Sequence, residues 1–249
     1  MNSFRSILAT AVVSILSFSA CNSAPGKPQQ GSEIVAPTEV ADFSTLYGDN
    51  CAGCHGAEGR GGAAIALADP VYLAIADDAA ICKVTANGVP GTSMPAFAQS
   101  AGGMLTNKQI DLITAGMRSR WSKQGILNGV NPPAYAVTSA GNAERGVVVY
   151  GTYCASCHGA QGQGSPKGSA IINDSYLALV SDQGLRTIVI TGRPELGAPD
   201  WRGNVAGKPM SDQEITDVVA WMASHRVQNP GQPYSAANEL RQQESNHVH

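Results

Sequence analysis

The chain of 249 residues has few aromatic side chains, few charged ones and no long run of basic residues. Aromatic residues make up 6% of it, charged residues make up 14%, and the net charge is −3. Since nucleic-acid-binding surfaces need clustered Lys and Arg, the composition predicts no nucleic-acid partner. A chain of this length has room for one large domain or two small ones. Two small domains would need additional core material, because small domains bury a smaller share of their surface.

The apolar stretch at the N-terminus is too short to span a bilayer. It covers residues 7–20, behind Arg5, whereas a membrane-spanning helix needs about 20 residues. A stretch of this kind predicts a secretory signal peptide over residues 1–21. Residues 18–21, Phe-Ser-Ala-Cys, resemble a bacterial lipobox, with Phe in place of the usual Leu. Cys21 is therefore the predicted lipidation site, and ordinary signal cleavage is the alternative. We expect an exported protein, anchored on the periplasmic or outer face of a bacterial membrane or otherwise periplasmic.

The most informative feature of the sequence is an internal repeat. Cys-Ala-Gly-Cys-His at residues 51–55 recurs as Cys-Ala-Ser-Cys-His at residues 154–158. The similarity continues beyond the motif, and the further matching pairs are Tyr72 with Tyr176, Gly88 with Gly192, Pro95 with Pro199, and Phe97 with Trp201. Self-similarity over this length predicts two homologous units.

The segments around the two units have the composition of linkers. Residues 22–40 are rich in Pro, Gly, Ser and Gln, which predicts a flexible tether. A second linker is predicted over residues 122–141. Residues 228–249 are polar, and we expect a disordered tail there. The two domains are thus predicted over residues 41–121 and 142–227.

Each unit is predicted to consist of short helices joined by loops. Asp42 and Asn142 are suited to cap helices that lead into the two cysteine motifs. Thr106 opens a segment with apolar residues at helical spacing, and residues 211–214, Ser-Asp-Gln-Glu, form a capping box ahead of a similar segment. No segment has the convincing alternation of apolar and polar residues that would predict a β-strand. The predicted fold class is all-α.

The Cys-x-x-Cys-His motif has the spacing that covalent haem attachment requires. Two thiols three positions apart can each form a thioether with a haem vinyl group, and the following His is placed to ligate the iron. A structural zinc site needs four ligands, whereas each unit offers one Cys pair and one adjacent His. A disulfide or a thioredoxin-type pair explains neither the His nor the repeat. The sequence predicts two covalently bound haem c groups, attached at Cys51, Cys54 and His55 and at Cys154, Cys157 and His158.

The order of elements around each motif resembles class I cytochrome c. That order is a helix, Cys-x-x-Cys-His-Gly, a variable loop, a loop with Met-Pro and a C-terminal helix, and it covers nearly all of residues 41–121 and 142–227. The resemblance implies two tandem helical domains, each around one haem. It also implies that His55 or His158 ligates one face of the iron and a methionine of the late loop ligates the other. For the first haem that methionine is Met94.

The second unit departs from this pattern. Aligning Pro199 with Pro95 puts Ala198 at the position of Met94, and alanine cannot ligate iron. Three alternatives stay open at this point. Met210 ligates the second haem, or Met210 packs as an apolar residue ahead of the capping box, or the iron has an open face. His225 is a competent ligand, but it fits a solvated surface better.

Two haem domains on a membrane tether, with no separate catalytic domain, predict an electron carrier. We expect transfer between membrane respiratory or photosynthetic complexes, as a shuttle or a complex subunit, with redox proteins as partners. Whether the protein is an enzyme stays open. The alternative is a small dihaem redox enzyme, peroxidase-like or thiosulfate-oxidising, with an open second haem. Arg193, Glu195 and Arg202 could then polarise a ligand, although charges on loops are more often solvated.

Overall fold

The computed structural model describes residues 35–227. The predicted signal peptide, the lipidation site Cys21, most of the tether and the polar tail lie outside the described residues. The chain divides into two units, Met1–Glu39 and Val40–His249. The described part of the first unit contains one 3-10 turn, Pro37–Glu39. Among residues 35–227, no helix has the length and apolar character needed to cross a bilayer.

The second unit contains both sequence repeats, and each forms a helical lobe. The first lobe consists of α1 (Phe43–Asn50), α2 (Ala52–His55), α3 (Pro70–Ile75), α4 (Asp78–Asn87) and α5 (Asn107–Trp121). The second lobe has the same order, with α6 (Ala143–Tyr153), α7 (Ala155–His158), α8 (Asp174–Leu179), α9 (Asp182–Thr191) and α10 (Asp212–Ser224). The described residues form isolated bridges but no β-strand. This confirms the all-α prediction.

Side-chain caps determine where the helices of both lobes begin. The carboxylate of Asp42 accepts a hydrogen bond from Thr45 N, and the side chain of Asn142 accepts one from Arg145 N. Helices α5 and α10 both begin with a complete capping box, at Thr106 and Ser211. Each box satisfies backbone donors that the first helical turn leaves without partners. The predicted helix starts are therefore confirmed.

Each lobe has its own apolar core, where its first helix packs against its last. In the first lobe, the ring of Tyr47 on α1 lies 5.1 Å from that of Trp121 on α5. In the second lobe, the rings of Tyr150 on α6 and Trp221 on α10 are 4.2 Å apart. Buried aromatic pairs stabilise by about 0.5–1.5 kcal/mol beyond the area that they bury. In each lobe, one Tyr–Trp pair thus joins the first helix to the last.

Helix α3 of the first lobe contributes to both cores. Its Tyr72 and Leu73 are buried in the core of the first lobe, whereas Val71 is buried in that of the second lobe and Ile75 packs against it. Full burial of a side chain of the size of Val stabilises by about 1.5–3 kcal/mol. The lobes therefore form one compact unit with a shared boundary.

The segment between the lobes is also fastened to the second lobe. The guanidinium of Arg186 on α9 donates to Ala134 O at 2.8 Å and to Tyr135 O at 3.2 Å. It also donates to Thr216 Oγ1 at 3.0 Å and forms an ion pair with Asp212. Two backbone carbonyl groups thus bind the predicted linker 122–141 to the second lobe.

The carboxylate of Asp217 on α10 makes the stability of the second lobe sensitive to acid. It is 4% exposed and accepts hydrogen bonds from Arg145 Nε at 2.6 Å, Asn142 N at 2.8 Å and Gln213 Nε2 at 2.9 Å. These donors, Arg145 first, hold the pKa of Asp217 below its ordinary value of 3.8. Since the folded pKa is the lower one, the stabilisation is complete above 3.8 and is lost as the pH falls through the folded pKa.

We therefore expect the free energy of unfolding of the holoprotein to fall between about pH 5 and pH 2, and Asp217→Asn to make this fall shallower. Denaturant unfolding at a series of pH values measures it. If the free energy of unfolding fell equally steeply with acid in the unaltered protein and in Asp217→Asn, the role of Asp217 would be contradicted. Replacement of the exposed Asp49 by Asn serves as the control, and it should leave the slope unchanged.

Candidate haem-binding sites

Both Cys-x-x-Cys-His motifs adopt the same backbone geometry. Each lies on a single helical turn, α2 or α7, that directly follows the first helix of its lobe. The first cysteine of each motif donates its N–H back to that helix, from Cys51 to Tyr47 O at 2.8 Å and from Cys154 to Tyr150 O at 2.9 Å. The backbone angles of the two cysteines agree within a few degrees, with φ of −119° and −121°. The two sites are therefore structurally equivalent.

The histidine of each motif is oriented by a backbone carbonyl. Nδ1 of His55 lies 2.8 Å from Ile65 O, and Nδ1 of His158 lies 2.7 Å from Ser169 O. A carbonyl oxygen can only accept, so Nδ1 carries the proton and Nε2 presents its lone pair. Burial lowers the pKa of His55, which favours the neutral ring that a metal requires. Both rings are thus prepared to ligate iron through Nε2.

The motif cysteines form no disulfide, so both sulfurs of each pair are available for the thioether bonds of haem attachment. Cys51 is buried and Cys154 partly buried, whereas Cys54 and Cys157 are exposed. Burial raises the pKa of Cys51 to about 11 and that of Cys154 to about 12. One thiol of each pair therefore lies inside its lobe and the other at the surface, and each pair is followed by an oriented imidazole. This donor set fits haem c.

The glycine after each histidine is required by the turn that follows the motif. Gly56 and Gly159 have φ of +84° and +82°, a region that favours glycine. A Cβ atom on Gly56 would lie 1.9 Å from Arg60 O. The hydroxyl of Tyr47 donates to Gly56 O, and that of Tyr150 donates to Gly159 O.

The two tyrosines that brace this turn were missed in the sequence. The signal that could have found them is their position, since each precedes the first cysteine of its motif by four residues.

The loop of Met94 and the loop of Ala198 are also equivalent. After α4, Val89 N donates to Met94 O at 3.0 Å, and after α9, Arg193 N donates to Ala198 O at 3.0 Å. In both lobes the preceding glycine has a positive φ and packs on the same carbonyl. The alignment of Ala198 with Met94 is therefore correct in three dimensions. Met94 as the sixth ligand of the first haem stays a prediction.

Met210 lies at the place that Leu105 has in the first lobe. Met210 N donates to Trp201 O at 3.0 Å, and Leu105 N donates to Phe97 O at 2.8 Å. Both side chains are buried, and Met210 belongs to the core of the second lobe. The ligation of the second haem by Met210 stays a prediction. In the structure, Met210 packs as an apolar residue ahead of the capping box, as one of the three alternatives describes.

The remaining candidates have other partners. His225 lies at the end of α10, with Nδ1 2.8 Å from Trp221 O and its ring against that of Trp221. Arg193 pairs with Glu195, and Arg202 pairs with Asp200. The two loop arginines are therefore neutralised locally.

A cavity of about 330 Å3 lies where the two lobes meet. It is lined by the first lobe's loop around Asp69 and by the second lobe's loop from Pro194 to Arg202. Nearby, Arg193 Nη2 donates to Gly62 O at 3.4 Å. The loop that follows the first motif is thus adjacent to the loop of Ala198.

Comparisons with known proteins agree with this geometry. A family model described as cytochrome C oxidase, cbb3-type, subunit III, matches residues 38–115 and 141–222. A cbb3-type cytochrome c oxidase subunit CcoP of Azospirillum sp. (strain B510) is 36% identical over 137 residues, covering 51% of this chain and 41% of that protein. The CcoP subunit of Azospirillum brasilense is 32% identical over 148 residues, covering 55% and 45%. The chain thus spans less than half the length of these relatives.

A chain of the Kuenenia stuttgartiensis reducing HAO-like protein complex is similar to 78% of this chain, over its own whole length. Its sequence identity is 18% and its TM-score 0.45.

Proposed function

The chain belongs to the cytochrome c family described as cytochrome c oxidase, cbb3-type, subunit III, and on this basis we propose that it carries electrons between membrane respiratory or photosynthetic complexes. Its two cytochrome c domains carry two covalently bound haem c groups. When bound, haem c supplies a reversible one-electron iron couple. The observation that carries the proposal is the pair of equivalent, oriented Cys-x-x-Cys-His sites within one compact unit.

Each lobe provides the groups that hold a haem and set its reduction potential. We assign haem attachment to Cys51 and Cys54 in the first lobe and to Cys154 and Cys157 in the second. His55 and His158 ligate iron, with the ring of each fixed by a carbonyl at Nδ1. Met94 completes the first site, and its thioether raises the reduction potential.

The contact between the lobes supports electron transfer within the protein. Val71 of the first lobe is buried in the second core, and Arg193 bonds to Gly62 O next to the first motif. These contacts hold the two haem sites in one arrangement rather than letting them diffuse apart. This fixed arrangement of the two sites would suit electron exchange between two bound haems.

The partners are redox proteins of a respiratory or photosynthetic chain, and the protein acts as a shuttle or as a complex subunit. Two relatives named as subunits of cbb3-type cytochrome c oxidases support a terminal oxidase as one partner. We assign residues 1–21 to a signal peptide and Cys21 to a lipid anchor. The protein is then held on the periplasmic or outer face of the membrane, and residues 22–40 let it reach its partners.

The proposal is tested by mixing the reduced holoprotein with membranes that contain a cbb3-type oxidase. We expect both haems to be reoxidised in air much faster than in buffer alone, and cyanide to stop this reaction. If the membranes did not accelerate reoxidation, the proposal that the protein is an electron carrier would be contradicted. Turnover of peroxide or thiosulfate by the isolated holoprotein would favour the dihaem enzyme instead.

The assignment of Met94 gives a separate prediction about reduction potentials. Since methionine ligation raises the potential of haem iron, Met94→Ala should lower the potential of one haem and leave the other unchanged. A spectroelectrochemical titration of both haems measures this. Met104→Ala is the matched control, because Met104 is 79% exposed, and its titration should equal that of the unaltered protein. A Met94→Ala protein with two unaltered potentials would show that another group is the ligand.

A further inference from the structure

The second lobe differs from the first at the loop position of Met94, where it has Ala198. We propose that this chain supplies no sixth ligand to the second haem, and that its ferrous iron binds a small neutral diatomic molecule such as carbon monoxide or nitric oxide. This inference rests on the proposed attachment of that haem at Cys154, Cys157 and His158. The first haem, with Met94, does not bind such a ligand.

Ala198 and Met94 occupy structurally equivalent positions. Each follows a helix-ending glycine by six residues, and the carbonyl of each accepts the N–H of the residue after that glycine at 3.0 Å. A Cβ on Gly192 would lie 2.7 Å from Ala198 O, and one on Gly88 would lie 2.7 Å from Met94 O. The backbone of the two loops is thus held in the same way. The second lobe keeps the loop but has a methyl group where the first has a thioether.

Met210 packs in the core of the second lobe. It is 3% exposed, and its backbone pairs with Trp201 as that of Leu105 pairs with Phe97. Leucine cannot ligate iron, so this place in the fold requires only an apolar side chain. The Met210 Sδ lies 4.0 Å from Asn204 Nδ2.

The capping box that follows Met210 makes a rearrangement costly. Ser211 N and Oγ both donate to the Glu214 carboxylate at 2.8 Å, and Glu214 N donates to Ser211 Oγ. To move Met210 to another place would pull Ser211 out of this box. Loss of an N-cap costs about 0.5–2 kcal/mol, in addition to the loss of a buried side chain.

The other side chains able to ligate iron or to select a ligand have partners of their own. The His225 ring packs on Trp221, and the Lys208 ammonium lies over the Tyr153 ring, 5.3 Å from its centroid. Arg193 and Arg202 pair with neighbouring carboxylates. The charges of Arg193 and Arg202 are thus balanced by carboxylates, which favours a neutral ligand over an anion.

Carbon monoxide titration of the dithionite-reduced holoprotein tests the inference, because carbon monoxide binds ferrous haem that lacks a strong sixth ligand. We expect one carbon monoxide for every two haems, and a high-spin ferric signal from one haem only. Ala198→Met should introduce a thioether, reduce carbon monoxide binding at least tenfold and convert that signal to low spin. Met210→Leu should leave the stoichiometry and both spectra unchanged.

The matched variant in the first lobe is Met94→Ala, which should raise the stoichiometry to one carbon monoxide for each haem. An unaltered protein that binds none, together with a Met210→Leu protein that binds one, would overturn the inference and identify Met210 as the ligand. Absence of binding in both would overturn it in favour of another ligand. Haem content measured on the same samples tests the attachment of both haems separately. A value below two haems per chain would contradict attachment at both motifs.

Discussion

Replacement of both Cys51 and Cys54 by alanine is expected to halve the haem that remains bound after denaturation, from two groups per chain to one. Each motif is a local unit, and the geometry of the second motif depends on Tyr150, Cys154 and Ser169 within its own lobe. Loss of the first pair therefore leaves the second haem attached. The pyridine haemochrome assay and the intact mass of the protein measure the change.

The haem that remains in this variant is the one assigned to the second motif, so the proposed open site predicts that the reduced protein still binds one carbon monoxide per chain. Cys82→Ala is the control. Cys82 also has a free thiol, but its Sγ lies near Thr114 Oγ1, at 3.3 Å, on a different part of the lobe from the motif. Two haems retained by the double variant, or one lost from Cys82→Ala, would refute the assignment of Cys51 and Cys54.

The parts of the protein that sequence predicts well are those determined by short-range interactions. The capping boxes at Thr106 and Ser211 join residues three positions apart, so the start of each helix can be read directly. Haem attachment depends on five consecutive residues, so the repeat of the motif was sufficient to predict two sites. The all-α fold followed from the same local patterns.

The contacts between distant segments could not be predicted. Arg186 aligns with Cys82 of the first repeat, and nothing in its neighbours shows that it is buried against Ala134 and Tyr135, about 50 positions earlier. In the same way, the division of α3 between two cores requires knowledge of where the second lobe lies.

The repeat is also less regular in three dimensions than the aligned sequences suggest. Arg118 on α5 donates to Leu73 O, in the last turn of α3, and to Ala76 O, directly after that helix. In the second lobe, the equivalent carbonyls of Leu177 and Val180 accept from Arg226, which aligns with Trp121 rather than with Arg118. A long, flexible arginine can reach the same acceptors from one helical turn further along. A sequence alignment compares residues position by position. These carbonyls need only a donor within reach, so the arginine that serves them lies at different aligned positions in the two lobes.

Arg186→Met is expected to destabilise the holoprotein by about 2–4 kcal/mol, since removal of one partner from a buried ion pair costs about 3–5 kcal/mol and Asp212 is partly exposed. The guanidinium is 2% exposed, and its loss removes a buried donor from Ala134 O, Tyr135 O and Asp212, although Tyr135 O keeps a hydrogen bond from Gln183 Nε2. Methionine fills much of the same volume, so the effect reports the lost polar contacts more than a cavity. Chemical unfolding followed by circular dichroism measures it.

The same substitution should also loosen the part of the segment 122–141 around Ala134 and Tyr135, because Arg186 donates to both of their carbonyls. We expect limited proteolysis within that segment to become faster, while the carbon monoxide stoichiometry stays the same. Arg120→Met is the control, since Arg120 is exposed and its guanidinium lies over the Phe43 ring, an interaction of about 0.5–1 kcal/mol. If both variants lost equally little stability, Arg186 would not fasten the linker. A larger loss together with faster cleavage would show that one buried arginine joins the segment between the haem domains to the second of them.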